Sequence, residues 1–354
     1  MTNDDMTNNM KSDMTTDDMT TAELVSALAA GDIEAAGRAA NRLPFGAGTP
    51  ELVRACLDAH ALEAALWAAN RMPFGAGTVA LVRECLAAHA LEAAEWAAFD
   101  LPGGAGTPEL VRACLAAHAL EAARCAAKRL PFGAGTPELV RACLAAHAEK
   151  AALWAANRMP FGSGTVALVR ACLAAHAHGA AFWAAASMPF GSGTVALVRA
   201  CLRAEQPVLP YDVAGTVAFR LPDGAGTPEL VRACMAAHAL KAADWAAERL
   251  PAGAATLALV RAALRANLRA SKHDVVRTLA HRLPAGAATS HPSIGGHTPR
   301  SFVLDGVAWL IVDHEMRPAA EWVEEADVID ARNSWPGLAP QTRELAARLL
   351  AAAS

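Results

Sequence analysis

The stretch Gly48–Ala76 reads GTPELVRACLDAHALEAALWAANRMPFGA, and close copies of it follow one another along most of the chain. A Leu-Pro or Met-Pro pair closes each copy, with proline at Pro44, Pro73, Pro102, Pro131, Pro160, Pro189, Pro222, Pro251 and Pro284. The spacing is 29 residues, and twice it is 33. A fixed period of this size is the mark of a repeat architecture, in which each unit buries its apolar face against the next.

Each unit parses into two helices. Thr49 suits an N-cap, Pro50 the first helical position and Glu51 the positive helix end. Helix A then runs to about His60, and helix B from about Leu62 to Met72. The loop Pro-Phe-Gly-Ala-Gly ends the unit, because proline cannot continue a helix and glycine accepts left-handed geometry. The two longer units locate the A–B joint, since insertions go into loops. One inserts around Ala204–Asp212 and the other around Arg269–Asp274, and the first unit has Gly31-Asp32 there. Each of these joints ends in an aspartate placed to cap helix B.

The reading is therefore all-α: an α-solenoid of about nine to ten stacked helix–turn–helix repeats. Composition agrees, being rich in alanine, poor in aromatics (5%) and without long β-branched runs. Residues 1–20 form an acidic, Met/Thr/Asp-rich tract read as disordered, and residues 21–288 form nine units. Residues 289–354 are expected to hold a degenerate tenth unit and a helical cap. There Thr298-Pro299 repeats the cap signal, a helix A is expected from Phe302 to His314, and Ala319–Trp322 matches Ala93–Trp96. A last helix is expected from Gln341 to Ala353.

Comparing units separates their faces. In helix B the sets Glu63/Glu92/Glu121/Lys150/Gly179 and Leu66/Glu95/Arg124/Leu153/Phe182/Asp244 vary freely, which marks a solvated face. Ala64, Ala65, Trp67, Ala68 and Met72 hardly vary and are read as core, with the Trp series as its large members. In helix A the buried set is Leu52, Val53, Cys56 and Leu57. The cysteines recur at Cys56, Cys85, Cys114, Cys143, Cys172, Cys201 and Cys234. Helices stacked about 8–10 Å apart place such cysteines too far apart for disulfides. They are expected to be free and buried.

Histidine follows cysteine by four residues at His60, His89, His118, His147, His176 and His238. A metal site is disfavoured, because stacked units do not converge four ligands on one ion and no CxxC is present. The histidines are assigned to the last turn of helix A, where they suit its negative end. A Cys/His nucleophile is disfavoured too, since catalysis uses one special site and not six copies. Asp313-His314-Glu315 resembles a catalytic cluster but falls at another helix A end.

The best binding candidate is a row of arginines: Arg54, Arg83, Arg112, Arg141, Arg170, Arg199, Arg232 and Arg261. Such a row can grip carboxylates or phosphates. Glu51, Glu109, Glu138 and Glu229 stand three residues before four of them and can neutralise them instead.

The stretch LVRACLAAHALEAARCAAKRLP, Leu110–Pro131, is similar to the pentatricopeptide pattern, in which an "EAA" helix ends in Met-Pro or Leu-Pro. The unit as a whole resembles the helical-hairpin superfamily of tetratricopeptide and pentatricopeptide repeats. ELVSALAAGDIEAA, Glu23–Ala36, suits an ankyrin or tetratricopeptide end unit. The pentatricopeptide resemblance implies single-stranded RNA binding through varied residues early in helix A and at the unit's end. Here those places hold Thr-Pro-Glu or Thr-Val-Ala and Gly-Ala-Gly, and the net charge is −4. RNA is thus disfavoured as a partner.

The expected function is a non-enzymatic scaffold or adaptor that binds a protein. The alternative is an RNA- or phosphate-binding solenoid using the arginine row. No cofactor motif, catalytic or metal site, membrane span or small-molecule site is read from the chain. The N-terminus lacks the basic start and apolar core of a secretory signal, which sets the expectation of a cytoplasmic protein.

Overall fold

The computed structural model describes residues 20–353 apart from 205–211, 267–274, 295, 313–314 and 334–337. The acidic tract expected to be disordered therefore lies outside the described residues, except for Thr20, which is helical. The chain divides between Pro189 and Phe190 into two compact units.

The first unit stacks six helical hairpins. They are α1 (20–30) with α2 (Ile33–Asn41), α3 (Pro50–Asp58) with α4 (Leu62–Asn70), and α5 (Val79–Ala87) with α6 (Leu91–Phe99). Then come α7 (Pro108–Ala116) with α8 (Leu120–Lys128), α9 (Pro137–Ala145) with α10 (Glu149–Asn157), and α11 (Val166–Ala174) with α12 (His178–Ala186). The second unit opens with three more: α13 (Val195–Ala204) with α14 (Val213–Phe219), α15 (Pro228–Ala236) with α16 (Leu240–Glu248), and α17 (Leu257–Arg265) with α18 (Val275–His281). The helical-hairpin array read from the period is thus observed.

Local chemistry explains each hairpin. Thr49 Oγ1 accepts from Leu52 N at 3.2 Å, and the same cap recurs at Thr78, Thr107, Thr136, Thr165, Thr194, Thr227 and Thr256. Helix B starts mostly without a side-chain cap. Asp32 and Asp212 are exceptions, accepting from Ala35 N and Gly215 N. Asp274 lies outside the described residues.

The A–B turn corrects the histidine assignment. His60, His89, His118, His147, His176 and His238 are not in the last helical turn. They sit just past it, in left-handed backbone with φ of 54–56°. His60 N donates to Leu57 O at 2.9 Å and Ala61 N to Cys56 O at 2.9 Å. These two bonds form a Schellman motif, with histidine where glycine is usual. Gly31 fills the same place in the first hairpin, at φ 71°, with matching bonds to Leu28 O and Ala27 O. Histidine is among the few side chains that enter this region readily.

The B–A loop depends on two glycines of different kinds. Gly133 has φ 90° and open space around its missing Cβ. Gly135 has ordinary φ, but a Cβ there would lie 2.0 Å from Ala155 O of the next helix B. Gly133 N and Gly135 N both donate to Arg158 O, at 2.9 and 3.0 Å. The second glycine therefore lets loop backbone lie against helix backbone.

The core consists mainly of Leu52, Val53, Cys56 and Leu57 of helix A and Ala64, Ala65, Ala68, Ala69 and Met72 of helix B, with their equivalents. The tryptophans are not core as expected. Trp67, Trp96, Trp154, Trp183 and Trp245 are half-buried. Arg71 lies over Trp67 at 5.9 Å and Lys128 over Trp154 at 5.6 Å. Ala64, Ala65, Ala68 and Ala69 take up the buried face of helix B, which leaves the ring at its margin.

The helix expected from Phe302 to His314 is not formed. The second unit ends instead in an antiparallel meander: β1 (Thr289–Ser290), β2 (Arg300–Leu304), β3 (Val307–Val312) and β4 (Glu315–Pro318), in that order. Thr298-Pro299 precedes a strand and caps no helix. Leu304 faces Val307 across Asp305 and Gly306, whose φ values are 53° and 76°. An Asp-Gly pair with both φ positive is a type I′ hairpin turn. Val, Leu, Ile, Phe and Trp around it favour the pleated, two-sided burial of β3. One face packs on α19 (Ala319–Asn333) and α20 (Ala339–Ala353) through Leu310, Val312, Trp322, Ile329 and Leu345. Trp322 is fully buried and donates from Nε1 to Leu310 O at 3.1 Å. Trp96 is half-buried, so the sequence match between Ala319–Trp322 and Ala93–Trp96 does not carry over to position.

Candidate functional site

The arginine row divides by the kind of unit that carries it. Where the helix opens Thr-Pro-Glu, the arginine pairs with the glutamate one turn back: Arg112 with Glu109 at 3.6 Å, Arg141 with Glu138 at 3.4 Å and Arg232 with Glu229 at 3.5 Å. Arg54 reaches Glu51 and, more closely at 2.7 Å, Glu84 of the next hairpin. The Glu84 bond holds its guanidinium still more firmly protonated than usual. Arg261 forms a two-pronged bond to Asp305 in the β2–β3 turn. Arg83, Arg170 and Arg199 open with Thr-Val-Ala, are exposed and form no ion pair among the described residues. The row is thus mostly neutralised internally, with three free positions. Exposed pairs of this sort contribute little stability.

The cysteine row is chemically quiet. All eight cysteines are buried and none is in a disulfide. Burial pushes the thiols of Cys56, Cys85, Cys114, Cys143 and Cys172 up to about 12. A thiol this far from ionisation is a poor nucleophile and metal ligand. The paired histidines point elsewhere: they are exposed while the cysteines are buried. Among the described residues no three His, Cys, Asp or Glu side chains converge as metal ligands. Asp313 and His314 lie outside the described residues, and Glu315 on β4 pairs with Arg317.

The histidines do help to line something. Between successive B helices of the first unit lie three grooves of one design. The largest, about 370 Å³, is walled by Leu62, Glu63, Leu66, His89, Leu91 and Glu92. The next is lined by Leu91, Glu92, Glu95, His118, Leu120 and Glu121, and the third by Leu120, Glu121, His147, Glu149 and Lys150. Each has an exposed leucine from the first position of helix B, carboxylates beside it, and a histidine from the following A–B turn. Burial raises the Glu95 carboxyl, with Glu121 adding to the shift. Glu121 is held low by Arg124. In the third groove Lys150 lies 3.7 Å from Glu121, so the acidic character weakens there.

A second arginine row, absent from the sequence reading, is structural. Arg71, Arg129, Arg158, Arg249 and Arg282 each donate from Nη2 to the last carbonyl of the preceding helix B. They strap successive B helices at their C-terminal ends, where unpaired carbonyls and the negative helix end favour a cation. Comparing units contains this signal, but Asp100 and Ser187 interrupt it.

Among the described residues no helix is long and apolar enough to cross a membrane. No protein-family model matches the chain, and no curated protein matches it. Among solved structures it is similar to a circular tandem repeat protein with novel repeat topology and enhanced subunit contact surfaces. The identity is 13%, and the match covers 75% of this chain and 56% of that one, with a TM-score of 0.15. The chain thus spans little more than half the length of that protein.

Proposed function

We propose that this chain is a non-enzymatic scaffold that holds a protein partner along the helix B face of its first unit. The observation that carries the reading is the groove row: the same leucine, carboxylate and histidine arrangement, repeated at three successive junctions. A repeated groove lined by leucine and carboxylates fits an extended segment bearing basic and apolar side chains. The quiet cysteines and the absence of converging ligands among the described residues support a non-enzymatic role. Eight cysteines, none in a disulfide, support an intracellular location. The two-helix unit and its Met-Pro or Leu-Pro end support kinship with tetratricopeptide and pentatricopeptide repeats, although the 29-residue period is shorter than the roughly 33–35 residues of such units.

Glu63 and Glu92 are exposed and form no ion pair among the described residues, so Glu63→Lys with Glu92→Lys changes the grooves and leaves the fold. Proteins retained from cell extract by the wild type and released by this variant support the reading. If the two retain the same set, the grooves are not the partner site. The phosphate-binding alternative rests on Arg83, Arg170 and Arg199. It requires a salt-dependent mobility shift with single-stranded RNA that Arg83→Ala, Arg170→Ala and Arg199→Ala together abolish.

A further inference from the structure

The edge opposite the histidines carries an unexplained row of aromatic rings. The loops that follow each helix B expose Phe45, Phe74, Phe132 and Phe161, at 74%, 63%, 79% and 61% of their surface. Where the third loop has Gly103, Phe99 from the end of α6 takes up the row, 6.5 Å from Phe74 in an edge-on contact. Arg129 covers both rings, at 4.5 and 5.8 Å. Large apolar side chains exposed singly are ordinary, but their recurrence at the same edge of successive hairpins, with Arg129 over two of them, marks a contact surface. None of these rings is needed for the hairpin turn, which glycine and proline supply.

We infer that this phenylalanine–arginine edge is the docking site of the chain's own N-terminal segment, residues 1–19. Three observations select that occupant over others. First, every helix A begins at this edge, because the phenylalanine loop leads directly into it. The helix α1 therefore begins here as well, and Glu23 in its first turn pairs with Arg42, at the end of α2, at 2.7 Å. The described chain thus begins beside Phe45. Second, the segment is long enough: 19 residues span up to about 65 Å, while stacked helices step roughly 8–10 Å. Third, its chemistry is complementary. It holds Met1, Met6, Met10, Met14 and Met19, half of the ten methionines in the chain, and five aspartates against one lysine. Thioether sulfur makes favourable contacts with aromatic rings, and carboxylates pair with arginine. Tethering gives the segment a local concentration in the millimolar range, so weak individual contacts suffice. A polyanion such as single-stranded RNA matches the cations but not the methionines, and it would have to displace the tethered segment. The inference does not rest on the groove reading, which concerns the opposite edge.

Methionine oxidation by hydrogen peroxide, followed residue by residue in the full chain, tests this. The reference is the synthetic peptide 1–19. A segment docked two-thirds of the time protects its methionines about three-fold. Met6, Met10 and Met14 are therefore expected to oxidise about three-fold more slowly in the chain than in the peptide. Protection should vanish in Phe45→Ser with Phe74→Ser. It should also vanish in Asp17→Lys with Asp18→Lys, a variant that changes no residue of the described helices. Peptide-like rates in the wild-type chain overturn the inference. So does protection that survives both variants, or protection that fades on dilution, which would make the occupant a second copy of the chain.

Discussion

Replacing Gly135 with alanine tests how the units are joined. The new Cβ would stand 2.0 Å from Ala155 O and 2.8 Å from Arg158 C and Met159 N, all backbone atoms of the next helix B and its end. A carbon and a carbonyl oxygen need about 3.3 Å, so loop and helix must part by more than an ångström. Overpacking of this kind costs about 1–3 kcal/mol, and weakening the Gly135 N to Arg158 O bond adds about 1 kcal/mol. The expected loss is therefore about 3 kcal/mol. Gly133→Ala is the internal control: its φ is 90° but nothing lies within 4 Å, so only backbone strain of about 1–2 kcal/mol applies. Nature has tried one such alanine, Ala255, and its bond to Arg282 O is the longest of the eight equivalents at 3.2 Å. Urea unfolding followed by far-ultraviolet circular dichroism, with hydrogen exchange at the α9–α10 junction, reads both variants. A Gly135→Ala loss no larger than that of Gly133→Ala would refute the close-approach argument.

Other outcomes follow from the same geometry. His118→Gly relieves a left-handed side chain at φ 56° and should raise stability by about 0.5–1 kcal/mol in thermal unfolding, Gly31 already standing at the equivalent place in the first hairpin; a loss would mean the ring makes an essential contact. Asp100, nearly buried where most units have arginine, has its carboxyl pushed up to about 6 by burial, against a smaller opposing pull from Arg129. The unfolded carboxyl ionises first, so stability falls as pH rises from about 4 through about 6 and is level above. Asp100→Asn should therefore raise the melting temperature more at pH 8 than at pH 4, and an equal shift at both would contradict the assignment. Trp322→Phe leaves Leu310 O without its buried partner, and should cost about 1–3 kcal/mol, seen as faster exchange across β3 and α19 but not in the hairpins.

The array was legible because its signals are local and copied. A threonine cap, a proline at the first helical position and a Pro-Phe-Gly-Ala-Gly loop repeat in register, so each copy corroborates the others. The A–B turn was less so, because histidine in left-handed backbone leaves no glycine to mark it; only Gly31 hints at the geometry. Trp67 was misread because alternation between units identifies a constant position, and constancy does not separate core from margin. The sheet was missed although Val303–Val312 carries its own signal, an Asp-Gly pair between β-branched runs. Extending the repeat into it favoured a helix. The partnering of Arg261 by Asp305 lies 44 residues apart in sequence and depends on that sheet. The edge phenylalanines were read only as loop residues, since exposure is decided by how the stack leaves the loop, not by the loop itself.

Hydrogen exchange of the native chain, resolved to single amides, tests the central claim most directly. The account predicts protection that recurs every 29 residues in the first unit. Ala61 N, Ala90 N, Ala119 N and Ala148 N, each bonded at 2.9 Å to a ladder cysteine's carbonyl, should be slow. Gly77 N, Gly106 N and Gly135 N, bonded across the B–A junctions, should be slow as well. Fast exchange at these turn amides within otherwise protected helices would contradict a stack of hairpins joined in this way.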